Sequence, residues 1–211
     1  MNVRVGRLTS SQCSVASNLL ARAFAEDPII TWFLYGRLRR RIAFPAFFRA
    51  FLEEMLPGGH VYAAHDDRKL IGVAAWLPPD APEPDTKVRR SAARHRALVR
   101  VLFPRTSTNL FEGFAAMEQF HPADPHWYLA FVGVEPTIQS HGVGEALLTP
   151  VLKIADQTQT LCYLETPFPR THKFYGRLGF MRQREVSPFI GAPQGAVTFL
   201  REPTGAVQDA P

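Results

Sequence analysis

Cysteine is scarce: two residues among 211, Cys13 and Cys162, far apart and in apolar surroundings. That argues against a disulfide scaffold and against a cysteine-built zinc site, and it fits a cytoplasmic setting. Long apolar runs are missing as well. The opening MNVRVGRLTS holds no apolar signal core, and no window approaches the roughly 18 consecutive apolar residues of a membrane helix, so a soluble, unexported chain with no membrane partner is expected. Nor is there an internal repeat, or a His, Cys, Asp or Glu cluster with metal-ligand spacing, so no metal is expected. Charged residues make up 20% and apolar residues 46%, which excludes disordered and fibrous classes and leaves material for a continuous core. The length suits one domain with an insertion rather than two.

What the chain does have is proline and a local basic excess. Four of its 18 prolines fall in PPDAPEPD at 78–85, which cannot be regular structure. The net charge is +5, yet residues 37–49 hold five arginines and residues 87–105 seven lysines or arginines, with no acidic residue in either window. Those two windows hold half of the cations, and the remainder of the chain is net acidic. A nucleic-acid-binding or regulatory module using these basic stretches is one reading. A solvated helix face is the plainer one, because no DNA- or RNA-binding motif accompanies them, so no nucleic acid is expected.

Periodicity gives the order of elements. Residues 2–8 read as a strand, and Thr9 with Gln12 forms a capping box before helical spacing at Val15, Leu19, Leu20, Ala23 and Phe24. Asp27-Pro28 suits an N-cap and first helical position. The stretch 37–56 sets arginines against Phe44, Phe47, Phe48, Phe51 and Met55, with Pro45 kinking it or starting a helix. Runs at 60–65 and 69–77 around Asp66-Asp67-Arg68 read as a hairpin. Helices are expected at 87–103 and 107–120, as a pair inserted between the third and fourth strands. WYLAFVGV at 127–134 reads as a strand buried on both faces. A helix through Leu147 to Ala155, a strand LCYLET, a short helix around KFYGRLG and strands near 180–187 and 196–201 complete an α/β domain over 1–202, with a disordered tail from 203 to 211.

The chemistry concentrates in the segment from Val132 to Gly144, VGVEPTIQSHGVG, a strand, a loop and a helix start. Gly142 and Gly144 would bare backbone N–H groups where the helix dipole attracts phosphate; taken alone, glycine used for turn geometry is the plainer reading. No Walker lysine follows. With Leu164-Glu165-Thr166 and Phe174-Tyr175-Gly176-Arg177-Leu178-Gly179-Phe180 downstream, however, the PxxQxxGxG pattern resembles the acetyl-CoA-binding half of the GNAT superfamily of N-acetyltransferases. A Trp before the strand, Pro150 within the helix and LET-x2-PR before the Phe-Tyr make it most similar to the puromycin N-acetyltransferase type. The likeness is strongest over the last 75 residues and weaker upstream at AFAEDP.

The resemblance implies a mixed, mostly antiparallel central sheet flanked by helices, acetyl-CoA as co-substrate and a small-molecule amine as acceptor. It implies that the backbone of Val132, Gly133 and Val134 pairs with the pantetheine arm, and that Gln139, Ser140, His141, Gly142, Val143 and Gly144 hold the pyrophosphate through neutral backbone donors. It also implies an oxyanion contact near Val134 and a proton from Tyr175 to the leaving thiolate. A phenol suits that last role, because its pKa near 10 keeps it protonated at neutral pH; core packing beside Phe174 is the alternative. Thr171 stands where relatives often have a cofactor-binding Asn. The attacking ammonium must lose a proton; Glu165, at a strand end beside the cofactor strand, is the candidate base, while Glu26, Asp27, His126 and His172 are further options with plain structural readings. Phe24, Trp32, Phe33, Tyr35 and Phe189 would line an acceptor pocket or simply pack as core. A protein or peptide acceptor on the same fold is the alternative function, and the assembly is expected to be a monomer or homodimer.

Overall fold

The computed structural model describes residues 2–81 and 85–205. β1 (Val3–Arg7) runs into the expected capping box, in which Thr9 N–H donates to Gln12 Oε1 at 3.0 Å, and α1 (Cys13–Ala23) follows. The buried stripe of α1 is Cys13, Ala16, Leu19 and Leu20. Val15, two positions off that stripe and so on the far side of the helix, is 56% exposed, not a core residue as its spacing suggested. Asp27 caps α2 (Pro28–Phe33) through Oδ1, which accepts from Ile29 N–H at 2.9 Å and Ile30 N–H at 2.8 Å. α3 (Arg37–Met55) continues through Pro45, so that proline starts no helix.

β2 (Val61–Asp66) and β3 (Lys69–Leu77) form the expected antiparallel hairpin, turning at Asp67 with a positive φ of 52°. The inserted pair follows as α4 (Thr86–Leu102) and α5 (Ser107–Ala116), with a 3-10 turn over Met117–Phe120. Then come β4 (His126–Val134), α6 (Val143–Gln157), β5 (Leu161–Thr166), α7 (Pro169–Arg177), β6 (Met181–Val186) and β7 (Ala196–Arg201). The irregular segment expected at 78–85 is described except for 82–84, and only 203–205 of the expected tail are described. There Thr204 N–H donates to Asp156 Oδ1 at 2.8 Å, tying the chain down. Among the described residues no helix is long and apolar enough to cross a membrane.

The seven strands make one sheet in the order β1-β2-β3-β4-β5-β7-β6, antiparallel throughout except for the parallel pair β4 and β5, which α6 connects. One face is covered by α1 to α5 over an aromatic core in which Phe24, Phe47, Phe51 and Phe131 surround Phe48 or one another at ring separations of 5.0 to 6.4 Å. The other face is covered by α6 and α7 over Trp76, Trp127, Leu147 and Val151. Trp76 is fully buried, and its truncation to alanine is expected to cost about 3–5 kcal/mol.

One irregularity positions the site. On β3, Ala75 pairs with Phe131 and Trp76 with Leu129, so Ala130 is an extra residue on β4. A bulge of this kind bends a strand and exchanges its faces. Trp127 and Leu129 accordingly point to the α6 side, whereas Phe131 points to the α3 side. Pairing of β4 with β5 stops at the same place, with Leu129 opposite Leu164. The expectation that β4 is buried on both faces is corrected: its residues alternate between buried and half-buried along its whole length, and its second half leaves β5 and flanks open space.

Candidate functional site

Past Leu129 the two central strands diverge, and β4 from Ala130 to Val134 has β3 on one side and a free edge on the other. Glu135 N–H donates to Ile71 O at 2.9 Å, toward β3. In an antiparallel strand neighbouring residues present their main-chain groups to opposite sides, so those of Val132 and Val134 face the gap. The Gln139 side-chain amide confirms the direction, reaching Val134 O from the gap at 3.2 Å.

The loop beyond is shaped by two left-handed residues, Ser140 at φ 67° and Gly142 at φ 80°, the latter preceding α6. The Nδ1 atom of His141 lies 2.8 Å from Gln139 O, bracing the turn. The first N–H groups of α6, at Val143, Gly144 and Glu145, lack intrahelical partners. Gly144 is needed for closeness: a Cβ there would meet Phe174 Cζ at 3.2 Å. Arg22 and Glu135, paired at 2.7 Å, fasten the loop to α1.

α7 closes the far side. Tyr175 is buried against Phe174, Phe180 and Phe199, and burial pushes its phenol above the usual range. Thr171 spends its hydroxyl locally, bonded to Thr166 Oγ1 at 2.9 Å and Phe168 O at 2.8 Å, which orders the start of the helix. Between β4, the glycine loop and α7 lies a cavity of about 600 Å³ lined by Val132, Gly133, Val134, Gln139, Thr171 and Tyr175, among others. Three cations that sequence reasoning missed also line it: Arg170, Lys173 and Arg177. Their spacing, i, i+3 and i+7, puts them on one face of α7 and was the signal available. The cavity wall is thus cationic on the α7 side, opposite the neutral backbone donors at the start of α6.

Glu165 stands at the point of divergence, its side chain 6% exposed, with Oε1 3.4 Å from His121 Nε2. The phenols of Tyr128 and Tyr163 lie against the same carboxylate, and burial with that negative charge pushes both above their ordinary range. His126 Nδ1 lies 2.8 Å from Asp124 O, an acceptor, and so carries its proton there. His126 Nε2 then accepts from His121 Nδ1–H at 3.2 Å. A neutral His121 consequently aims a lone pair at the Glu165 carboxylate, and one further proton fits between them. The arrangement can take up a proton at the strand divergence and connects, through His126, to the surface. Burial lowers the His126 pKa, favouring its neutral form.

A second cavity of about 920 Å³ lies on the α3, α4 and α5 face, and the two cavities share Ala130 and Phe131 in their walls. Of the aromatics expected around an acceptor, only Phe24 lines a cavity, the smaller one. Trp32 and Tyr35 are 52% exposed, whereas Phe33 and Phe189 are core residues 6.3 Å apart. His172 packs on Phe199, Asp27 is a buried cap and Glu26 reaches only Arg170 at 4.0 Å; none lines either cavity. Both cysteines are buried and free, and burial pushes Cys162 up to about 12, so neither is a poised nucleophile. Among the described residues no group of His, Cys, Asp and Glu is arranged to hold a metal.

This geometry has counterparts in known proteins. A family model described as the acetyltransferase (GNAT) family matches residues 24–180. An uncharacterized N-acetyltransferase of Schizosaccharomyces pombe is 24% identical over 195 residues, spanning 85% of this chain and 75% of its own length. A crystal structure of histone acetyltransferase HPA2 and related acetyltransferase from Corynebacterium glutamicum superposes with a TM-score of 0.71 at 23% identity, over 96% of this chain and 97% of its own. Polyamine N-acetyltransferase of Drosophila melanogaster, which forms N-acetylagmatine, superposes with a TM-score of 0.64 at 16% identity, over 95% and 100% of the two chains.

Proposed function

The chain belongs to the acetyltransferase (GNAT) family, with that family's mixed α/β single-domain fold, and from this premise we propose that it transfers the acetyl group of acetyl-CoA to a primary amine of a small molecule. The observation that carries the reading is the divergence of β4 from β5 at Ala130, with a cavity on either side of it. An open strand edge, a glycine loop at a helix start and a cationic helix face are what a pantetheine arm and its phosphates require. The catalytic domain is assigned to residues 1–202, and two buried free thiols support a cytoplasmic setting. The likeness of Trp127, Pro150 and residues 164–170 to the puromycin-acetyltransferase type also favours a small acceptor.

The residues divide the work as follows. Val132 and Val134 pair with the pantetheine arm, Gly133 between them turning its main-chain groups to β3, while Gln139 to Gly144, the α6 N-terminus and the α7 cations hold the phosphates. Glu165, backed by His121, accepts the proton of the substrate ammonium. The freed amine attacks the thioester carbon, and the N–H of Val134 on the open edge stabilises the oxyanion. As the C–S bond breaks, Tyr175 gives its proton to the departing thiolate, and the nitrogen gives up its second proton, which returns the phenolate to phenol, so that amine and acetyl-CoA become amide and free thiol. Direct attack in a ternary complex is favoured because no poised cysteine is at hand. Two arginines of the basic helices are engaged within the fold, Arg49 with Glu53 at 2.5 Å and Arg96 with Glu54, and no DNA- or RNA-binding motif accompanies the rest.

The test is thiol release from acetyl-CoA by the purified chain across small amines and peptides, together with calorimetric binding of acetyl-CoA. Binding and amine-dependent release are expected. A chain that binds no acetyl-CoA would sink the reading.

A further inference from the structure

The larger cavity lies across Ala130 and Phe131 from the glycine loop, and its side walls are largely apolar. Phe51, Met55, Phe111, Phe114, Met117 and Phe131 form them, and its volume of about 920 Å³ is in the range that encloses a small organic ligand. At the rim, Arg96 and Arg100 lie over the Phe111 ring at 6.0 and 5.6 Å. Glu54, the carboxylate along that wall, is already paired with Arg96 and held above the ordinary carboxylate range by burial. Glu118 and Asp124 also border the cavity but are exposed, where water and salt screen them. A polyamine would therefore meet two guanidinium groups and no uncommitted buried carboxylate along the shaft.

The inner end differs. There the wall passes through Tyr128, Ala130 and Phe131 to His121, whose Nε2 is 3.4 Å from Glu165 in the wall of the adjoining smaller cavity, and this junction provides for a single ammonium. An aromatic shaft with one polar terminus is complementary to a molecule with one amine on an apolar body.

Resting on the acetyltransferase reading, we propose that this cavity is the acceptor pocket and that it takes a primary amine carried on an aromatic or bulky apolar body, with the ammonium at the Glu165 end, in preference to a polyamine.

The full chain is assayed for thiol release with 2-phenylethylamine, tryptamine, spermidine, agmatine and a short peptide, while calorimetry follows acetyl-CoA alone. The expected kcat/KM for an aromatic amine exceeds that for every polyamine and the peptide by about ten-fold or more. Phe111→Ala is expected to raise KM for that amine about ten-fold, with acetyl-CoA affinity retained as the sign of an intact fold. Arg96→Glu, which puts a carboxylate at the mouth without opening a void in the aromatic wall, is expected to shift the aromatic-to-spermidine ratio about ten-fold toward spermidine. Preference for polyamine or peptide, silence toward both aromatic amines, or a ratio unmoved by either variant, with acetyl-CoA bound, overturns the pocket assignment and leaves the acetyltransferase reading intact. Failure to bind acetyl-CoA overturns that reading and this inference with it.

Discussion

The two cavities that meet at Ala130 and Phe131 are made of different material. The smaller is built largely from main chain: a strand edge freed by a bulge, a loop with two left-handed residues, and the bare start of α6. The larger is built from side chains contributed by α3, α5 and β4, positions up to eighty residues apart. Backbone fixes a chemistry shared by every acceptor, whereas side chains tune which acceptor enters. Substitutions around the smaller cavity should therefore spare affinity for acetyl-CoA unless they change backbone conformation or remove a cation of α7, and those around the larger one should alter KM for the amine.

The largest effect is expected at Tyr175. Tyr175→Phe keeps the ring buried against Phe180 and Phe199 and removes only the hydroxyl. A lost general acid lowers kcat by about 100-fold or more, while acetyl-CoA affinity should hold within about two-fold. A kcat close to wild type would reassign Tyr175 to the core. Next is Glu165→Gln, expected to lower kcat about 100-fold near neutral pH. The deficit should shrink as pH rises, because more of the amine then arrives already deprotonated, and a pH-independent deficit would instead mark Glu165 as structural. His121→Gln should give a smaller loss with the same pH signature, since His121 acts through Glu165 across 3.4 Å.

Two glycines sharpen the backbone side of the comparison. A Cβ at Gly133 would meet Leu20 Cδ2 at 2.8 Å and Ala23 Cβ at 2.9 Å, so Gly133→Ala should destabilise the fold by about 1–3 kcal/mol through overpacking against α1. At Gly142 nothing lies within 4 Å, but φ is +80°. Gly142→Ala should cost only about 1 kcal/mol in urea unfolding. Its effect should instead appear as weaker acetyl-CoA binding with KM for the amine unchanged. Equal effects at the two positions would remove the distinction between a glycine kept for room and one kept for conformation.

The smaller cavity was legible in the sequence because its parts are local: residues 132–144 and 164–175 carry their glycines and apolar runs within short spans. The missed cations of α7 were equally local, at helical spacing. The larger cavity was not legible, because Phe51, Phe111 and Phe131 each sit in a helix or strand period that reads as core, and nothing in that period says which core positions face a void. Trp32 and Tyr35, candidates for an acceptor pocket as aromatics of the early helices, face solvent. The Ala130 bulge has no sequence mark, as alanine suits either register. His121 escaped because a lone histidine before a strand carries no pattern; only the fold brings it to Glu165. The order of strands and helices, in contrast, followed from periodicity, and departed from it chiefly where a cap or a bulge reset the count, as at Val15 and along β4.

An effect confined to stability and to acid pH lies in the turn leading from Phe24, in the wall of the smaller cavity, to α2. Asp27 is 3% exposed, and although it accepts two backbone N–H bonds as the α2 cap, burial dominates and raises its carboxyl from 3.8 to about 6. The folded chain thus holds this proton more tightly than the unfolded chain does. Between about pH 4 and about 6 the native state binds more protons, so stability falls as pH rises through that window and is flat with respect to Asp27 above it. Asp27→Asn has no proton to lose and keeps a capping oxygen. Its unfolding free energy relative to wild type should therefore climb across the same window, by up to about 2–3 kcal/mol. Acetyl-CoA affinity should not move, because the carboxylate lines neither cavity. Parallel stability curves for the two proteins in urea across the window would mean that the two N–H bonds offset burial in full, and that Asp27 titrates in the fold as it does in the unfolded chain.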